Sequence, residues 1–433
     1  MSAFNQGILT KKHPSHDDMW LLQNSSLSVI CFACAVETLE DETTLNIRKR
    51  KMASEILDLF TTNRLIWEIF LKHKTTLHHT GKVLLQLLST KDNQLSSLLV
   101  ETIGAFAQRV QDENAVSFLD LLVNAIRNAK DNTTGKIYPY VCLLGKILRS
   151  SNTIVKSLLM NNQWVLGIIA DGIDIVEEKE AVSYWYVFTQ VYRIGSDTDI
   201  GKETSKLLFE KIVNAVGNSV SKELQLNILA VLKNFATRSD LRDLIFEQED
   251  QDAVLSRKSI ADALKKLILS PTKSVQLGAA QCLGAMLNDS PQIKNDKIAN
   301  FASLMIDKGL CEFLFELLES SEPLLVASVF NCLLKFSNCP KFFTGGHIIY
   351  GFEPIVQALL RMLGKSDKSL MKPGLGLLHR ILEEDTNRLG TVVKDLNVIL
   401  KILVNISETH ETGILDMGII CSEALIKRIQ KIL

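Results

Sequence analysis

Proline is scarce in this sequence, and neither sign of charge is in excess. The chain has 8 prolines among 433 residues, so long stretches contain nothing that would interrupt a helix. It carries 48 Lys and Arg against 49 Asp and Glu, a formal net charge of −1. Such a balance gives no bulk attraction to nucleic acid or to a membrane surface. The composition therefore favours helices and gives no signal for direct binding to DNA, although it leaves a local basic face open.

Long apolar runs are also missing. No stretch approaches the ~18–20 uninterrupted apolar residues of a membrane span, and residues 1–18 lack the apolar segment of a secretory signal. The eight cysteines mostly lie in apolar helical patterns, where cysteine acts as a small core residue. Together these features predict a soluble intracellular protein with reduced thiols and no contact with a membrane.

What the sequence does contain is a weak internal repeat. A leucine-rich helical pattern, a short polar break and a second apolar helical pattern recur at intervals of roughly 35–55 residues, which bracket the length of HEAT and armadillo units. The clearest copies are 264–287 and 313–336. Because 433 residues exceed the ~250–300 at which a single core stops growing, the repeat predicts an all-α, armadillo/HEAT-like helical-repeat solenoid.

The same pattern predicts how the chain is divided. Residues 1–18 are expected to be a flexible polar N-terminus, 19–82 an N-terminal helical cap, and 83–433 the armadillo/HEAT-like repeats. The sequence ends at Leu433 within an apolar helical pattern. Since a repeat array needs a polar terminal cap, we expect the array to be open at its C-terminal end.

The breaks inside the two clearest copies predict turns between paired helices. In the segment 270–273, Pro271 cannot continue the helix behind it, and Ser274 is a candidate cap for the helix that follows. In 320–323, Pro323 suits the first turn of the next helix. Each copy is therefore expected to fold as two helices joined by a short turn.

Apolar spacing within the copies predicts one buried stripe on each helix. Two longer breaks, 246–258 and 344–347, are expected to leave the stack as loops. The predicted stripe residues are Leu264, Leu267 and Ile268 in the first copy, and Phe313, Leu317 and Leu318 in the second.

Sequence patterns for catalysis, cofactors and metals are incomplete. Gly201 and Lys202 resemble the end of a phosphate loop, but Glu203 occupies the position that needs a hydroxyl. Cys31 and Cys34 form a C-x-x-C without the second, closely spaced pair of a structural zinc site, which favours two buried helix cysteines. We therefore predict a non-enzymatic protein without a cofactor or a metal.

One basic cluster occurs in the sequence, and two interpretations remain open for it. The cluster is a candidate nuclear-import signal or phosphate contact, and its alternative is a solvated turn of a helix that continues through Ile56. Its members are Arg48, Lys49, Arg50 and Lys51.

Polar residues on the second helices of the repeats are candidate partner contacts. Import receptors bind extended peptides with a ladder of asparagines, and alignment of the second helices places Ala105, Asn234, Ala285 and Lys335 at the corresponding step. Only one of these is asparagine, so the sequence does not predict an import-receptor groove. The candidate contacts are Asn234, Gln276 and Lys335, each of which also fits a solvated helix face.

Several segments, in the same order, resemble the meiosis inhibitor protein one family, a family of animal proteins for meiotic double-strand-break formation. The N-terminal ones are Trp20-Leu21-Leu22 with Cys31-x-Ala33-Cys34-Ala35, which resemble that family's opening helix, and Ile47-Arg48-Lys49 with Met52, which resemble its next turn. Later ones are 264–270, Ala280 with Cys282, 312–316, Asn331-Cys332-Leu333, and Phe342-Phe343 leading to Tyr350-Gly351.

The resemblance implies a function that the residues alone do not give. It implies a scaffold at the chromosome axis of germ cells, acting in the nucleus with other break-promoting factors. Programmed DNA breaks, and through them homologue synapsis in the first meiotic division, would depend on it. The family's members are far longer, so the resemblance covers only their N-terminal part. The alternative from the repeats alone is a general intracellular adaptor that binds peptide or helical segments of partners, in the cytoplasm.

Overall fold

The structure, a computed structural model, describes most of the chain in two compact units, residues 1–207 and 208–433. The described residues are 16–109, 113–131, 137–193, 199–246, 251–288, 295–345, 353–364, 367–384, 392–409 and 411–432. No helix within these ranges is both long enough and apolar enough to cross a membrane.

The first unit begins with two short strands and continues in helices. The strands are β1 Leu21–Gln23 and β2 Val29–Cys31. The helices are α1 Phe32–Glu40, α2 Asn46–Thr62, α3 Leu65–Lys72, α4 Lys74–Leu87, α5 Asn93–Arg109, α6 Glu113–Asp131, α7 Tyr138–Ser150, α8 Asn152–Asn161, α9 Trp164–Gly172, α10 Glu178–Tyr192 and α11 Lys202–Val216, within which the division falls.

The second unit is helical throughout its described residues. Its further helices are α12 Lys222–Thr237, α13 Ser239–Phe246, α14 Gln251–Ile268, α15 Lys273–Met286, α16 Asn295–Asp307, α17 Leu310–Leu317, α18 Pro323–Phe336, α19 Glu353–Leu363, α20 Lys372–Glu383, α21 Val392–Ser407 and α22 Thr412–Ile432. Short 3-10 helices cover Asp18–Trp20 in the first unit, and Pro340–Phe343 and Lys368–Met371 in the second.

Each unit is a two-layer stack in which the second helices of the repeats pack in series. We call these the ladder helices. They are α2, α5, α7 and α10 in the first unit, and α12, α15, α18, α20 and α22 in the second. Other helices form the covering layer, among them α1, α4 and α6 in the first unit and α14, α17, α19 and α21 in the second. Stacking of neighbours buries stripes that one helix pair cannot cover alone, as the all-α armadillo/HEAT-like repeat prediction requires.

Contacts between polar side chains of successive ladder helices show how many residues separate one repeat from the next. Arg50 binds Gln94 44 residues away, and Lys146 binds Glu101 over 45 residues. In the second unit, Lys233 Nζ lies 3.0 Å from Gln281 Oε1, 48 residues along the chain. These separations agree closely with HEAT and armadillo units of ~40–47 residues, which confirms the predicted repeat fold.

Cysteines allow some ladder helices to approach one another closely. The Cys332 thiol donates to the Ala280 carbonyl at 3.1 Å, and the Cys421 thiol donates to the Leu375 carbonyl at 3.2 Å. Burial raises the pKa of both thiols to about 12. They are therefore protonated donors at neutral pH, and these two cysteines act as small core residues, as the sequence predicted.

The predicted turns are confirmed, but one predicted cap is wrong. α14 ends at Ile268 and α15 begins at Lys273, while Pro323 opens α18. Ser274, expected as the cap of α15, lies inside its first turn with a buried hydroxyl oxygen. Thr272 takes the N-cap position without a side-chain hydrogen bond to the helix.

The predicted loop at 246–258 is also wrong over most of its length. Helix α14 already begins at Gln251. Arg257 Nη1 donates to the Ile245 carbonyl at 3.3 Å, so this charged run packs back against α13 instead of leaving the stack. Residues 247–250, and His347 with Gly346 from the second predicted loop, lie outside the described residues.

The first predicted stripe is correct, and in the second only Leu318 is buried as predicted, at 0% exposure. Leu264, Leu267 and Ile268 are all buried, at 0%, 3% and 0% exposure. In α17, however, the buried residues are Leu310, Cys311, Leu314 and Phe315. Phe313 is only half-buried because its ring faces Lys265, whose Nζ lies 5.2 Å from the ring centroid.

The first segment of the described chain is a hairpin, which corrects the expectation that Trp20-Leu21-Leu22 belongs to an opening helix. β1 and β2 pair antiparallel, with Leu21 opposite Cys31. Asn24 closes the turn because its Oδ1 accepts hydrogen bonds from the Ser26 and Ser28 amides at 3.1 and 2.9 Å. These side-chain hydrogen bonds stabilise a turn at a place where the resemblance predicted a helix. The first α-helix of the described residues is α1. Of the predicted flexible N-terminus, 1–15 lie outside the described residues.

Candidate protein-binding surface

A groove of about 640 Å³ runs across three ladder helices of the first unit. Its lining comes from α5, α7 and α10 and from the turn between α4 and α5. Both polar and apolar side chains line it. They include Ser89, Asn93, Ser97, Glu101, Tyr138 and Glu180. A concave surface of this size, with a few placed polar groups, suits a short segment of another protein.

Asp92 caps the start of α5, between the groove residues Lys91 and Asn93. Its Oδ1 accepts hydrogen bonds from the Gln94 and Leu95 amides at 3.1 and 3.0 Å, and its Oδ2 lies 3.1 Å from Arg50 Nη2 of the preceding ladder helix. The Leu95 amide, together with the Arg50 charge, holds the pKa of Asp92 below its usual value. The start of α5, next to the groove, is thereby capped and joined to the preceding ladder helix.

Helix α7 contributes uncharged side chains to the groove, among them Tyr138 and Cys142. Burial raises the pKa of the Tyr138 hydroxyl and of the Cys142 thiol, so both are neutral near pH 7. The formal charges along the groove therefore come from residues such as Lys91, Glu101 and Glu180.

The three predicted partner contacts lie on three different ladder helices, α12, α15 and α18. Asn234 is half-buried on α12, and its Nδ2 donates to its own helix at the Ala230 carbonyl, 2.8 Å away. Gln276 is half-buried in the first turn of α15, whereas Lys233, next to Asn234, pairs with Gln281 much further along that helix. Lys335 lines a separate pocket of about 300 Å³ against α16. As partner contacts, all three stay predictions.

The predicted basic cluster is divided around α2, because consecutive residues of a helix point in different directions. Arg48 and Lys51 are exposed. Lys49 is buried at 6% exposure, and Arg50 is held by Asp92 and Gln94. The accessible charge is that of two residues, not of four.

The structure also brings together residues that the sequence search did not connect. His16 lies beside Cys31 and Cys34, 15 and 18 residues away along the chain. The standard zinc patterns that contain a C-x-x-C take their other ligands from a second, closely spaced pair, which this sequence lacks. An upstream histidine was the available signal, but its distance from the motif matches no standard spacing.

Solved structures with a similar fold are helical-repeat proteins. One of them is a structure from work on a phosphorylation switch that controls the interaction between cadherin and beta-catenin. It aligns with a TM-score of 0.60 and 12% identity, over 92% of this chain and 76% of its own. An engineered protein from the Northeast Structural Genomics Consortium aligns with a TM-score of 0.54 and 14% identity, over 91% of this chain and 98% of its own. These likenesses concern the fold alone, and they place the chain in the class of armadillo-type helical-repeat proteins.

Sequence comparison is more specific. Residues 30–400 match the family described as Meiosis inhibitor protein 1 N-terminal domain, and the chain belongs to this family. Human Meiosis inhibitor protein 1 is 28% identical over 387 residues, which are 87% of this chain and 29% of the human protein. The mouse protein is 26% identical over 387 residues, 87% of this chain and 30% of its own. The chain thus spans less than a third of the length of these relatives.

Proposed function

We propose that this chain is a non-enzymatic scaffold required for programmed DNA double-strand-break formation in the first meiotic division, and hence for homologue synapsis. Family membership over residues 30–400, together with the meiotic name of the human and mouse relatives, supports the meiotic part of the proposal. The armadillo-type fold supports the scaffold part, because stacked ladder helices present long surfaces for partners.

The groove in the first unit is the structural feature that supports the scaffold role most directly. Its lining comes from successive ladder helices that are joined by the Arg50–Asp92 and Lys146–Glu101 ion pairs. A surface that is rigid before a partner arrives loses less conformational entropy on binding. Tyr138 gives the groove an aromatic contact, and Lys91 and Glu180 give opposite charges that orient a bound segment.

The proposed partners are proteins, namely other break-promoting factors at the chromosome axis. They bind as short helices or extended segments, and the proposal includes no small-molecule substrate, no cofactor, no membrane and no direct contact with DNA. The proposed location is the nucleus of germ cells, in association with chromosomes. Arg48 and Lys51 are the accessible part of the candidate import signal.

A loss-of-function allele in the germ line tests this function. We expect early prophase chromosome spreads to show almost no recombination-break foci, and synapsis to fail as a consequence. The measurement is the number of foci per nucleus in mutant and wild-type littermates. Normal foci with normal fertility would contradict the proposal and would favour the general intracellular adaptor.

A further inference from the structure

Three side chains with metal-binding atoms meet at the N-terminal edge of the first unit. His16 Nδ1 lies 3.4 Å from Cys34 Sγ and 3.7 Å from Cys31 Sγ, and all three ligand atoms lie within 4.8 Å of one another. In a tetrahedral zinc site, Zn–S bonds of ~2.3 Å and Zn–N bonds of ~2.0–2.1 Å place sulfur and nitrogen about 3.5 Å apart. The two nitrogen–sulfur distances from His16, 3.4 and 3.7 Å, lie on either side of this value.

The local fold brings these ligands to one place. Cys31 ends β2 and occupies the N-cap position of α1, and Cys34 lies in the first turn of that helix. Amide groups at a helix N-terminus favour negative charge, which here would be thiolate. Trp20 stacks on Phe32 with ring centroids 6.0 Å apart, so the chain that follows His16 is held against α1.

Glu37 supplies the second contact that a metal-bound histidine requires. Its Oε1 lies 2.9 Å from His16 Nε2, on the side of the ring opposite the two thiols. A carboxylate on the far nitrogen fixes the ring orientation and raises the basicity of the ligating nitrogen. The carboxylate, the histidine and the two sulfurs are therefore in the order that zinc sites use.

We propose that His16, Cys31 and Cys34 bind a zinc ion, with water in the fourth position. Thiolate and imidazole ligands select zinc over magnesium or calcium. On binding, the two thiols release their protons to the solvent and the histidine binds through its neutral ring. The ion fastens the segment around His16 to α1 and closes the N-terminal edge of the stack. This proposal does not depend on the meiotic role.

Burial is consistent with such a site. Cys31 is buried at 1% exposure, and His16 and Cys34 are half-buried. Burial, followed by the charge of Cys31, raises the pKa of the Cys34 thiol to about 12. A divalent cation reverses this effect, because it favours the thiolate form of any sulfur that it binds.

The test uses the purified full chain, loaded with Zn²⁺ alone and then freed of excess metal. We expect about one zinc ion per chain, and Co²⁺ in its place should give the absorption bands of a tetrahedral site with sulfur ligands. Cys34→Ser should remove most of the bound zinc. Cys142→Ser, which changes a half-buried thiol elsewhere in the unit, should retain it.

Glu37→Gln provides a test that does not depend on losing a ligand. The Glu37 side chain is 63% exposed, so its replacement should leave the circular dichroism spectrum unchanged. Zinc affinity, measured by competition with a coloured chelator, should fall by about 10–100-fold. The proposal is overturned if wild-type chain with reduced thiols takes up no zinc, if Cys31 and Cys34 form a disulfide that excludes it, or if Cys34→Ser and Cys142→Ser retain zinc equally.

Discussion

Replacing Phe106 by alanine should reduce the free energy of unfolding by ~3–5 kcal/mol. Phe106 is 1% exposed on α5, and its ring centroid lies 5.4 Å from that of Phe60 and 5.4 Å from that of Phe118. Trp67 and Phe70 complete the cluster, at 6.1 and 6.0 Å. Truncation leaves a cavity that the four rings, which lie on the three surrounding helices α2, α3 and α6, cannot fill by small movements.

The measurement is denaturant unfolding of the wild-type and variant chains, followed by near-ultraviolet circular dichroism. Phe313→Ala is the matched control, because Phe313 is half-buried with a lysine over its ring. Its loss should be about 1 kcal/mol. Equal losses for the two variants would mean that the aromatic cluster is not packed as described.

Leu267→Ala should reduce the free energy of unfolding of the second unit by ~2–5 kcal/mol. Leu267 is 3% exposed near the end of α14, a helix that packs on α15. Leu269, two residues later, is 50% exposed, so Leu269→Ala should change stability by only about 0.5 kcal/mol. Both variants are compared with the wild-type chain by urea unfolding, and a neutral Leu267→Ala would contradict the assigned buried stripe.

Local signals explain which parts of the fold could be predicted. Pro271 and Pro323 act on the backbone next to them, so the turns they mark were correct. The buried stripe with Leu264 and Leu267 was also predicted correctly, because it follows the helical period. Phe313 was misplaced because it packs against Lys265 of another helix, and a single helix's periodicity carries no information about that contact.

The candidate surfaces depend on contacts between distant parts of the chain. The groove draws its lining from α5, α7, α10 and a turn, and no sequence window contains all of them. The repeat alignment puts Asn234 and Ala285 at the same step, but the offset between ladder helices is set by packing, as the Lys233–Gln281 contact shows. His16 reaches the thiols only because the hairpin reverses the chain.

The central claim is that the groove acts in meiotic break formation, and Ser97→Arg tests it most directly. Ser97 is exposed and lines the groove, so an arginine there should fill it, while helix propensity improves slightly. Asn124→Arg, at an exposed position on α6 of the covering layer, is the control. Each variant is introduced into the germ line, and break foci are counted on early prophase spreads. We predict that Ser97→Arg lowers foci toward the null level while Asn124→Arg leaves them normal; normal foci with Ser97→Arg, in a stably folded protein, would contradict the claim.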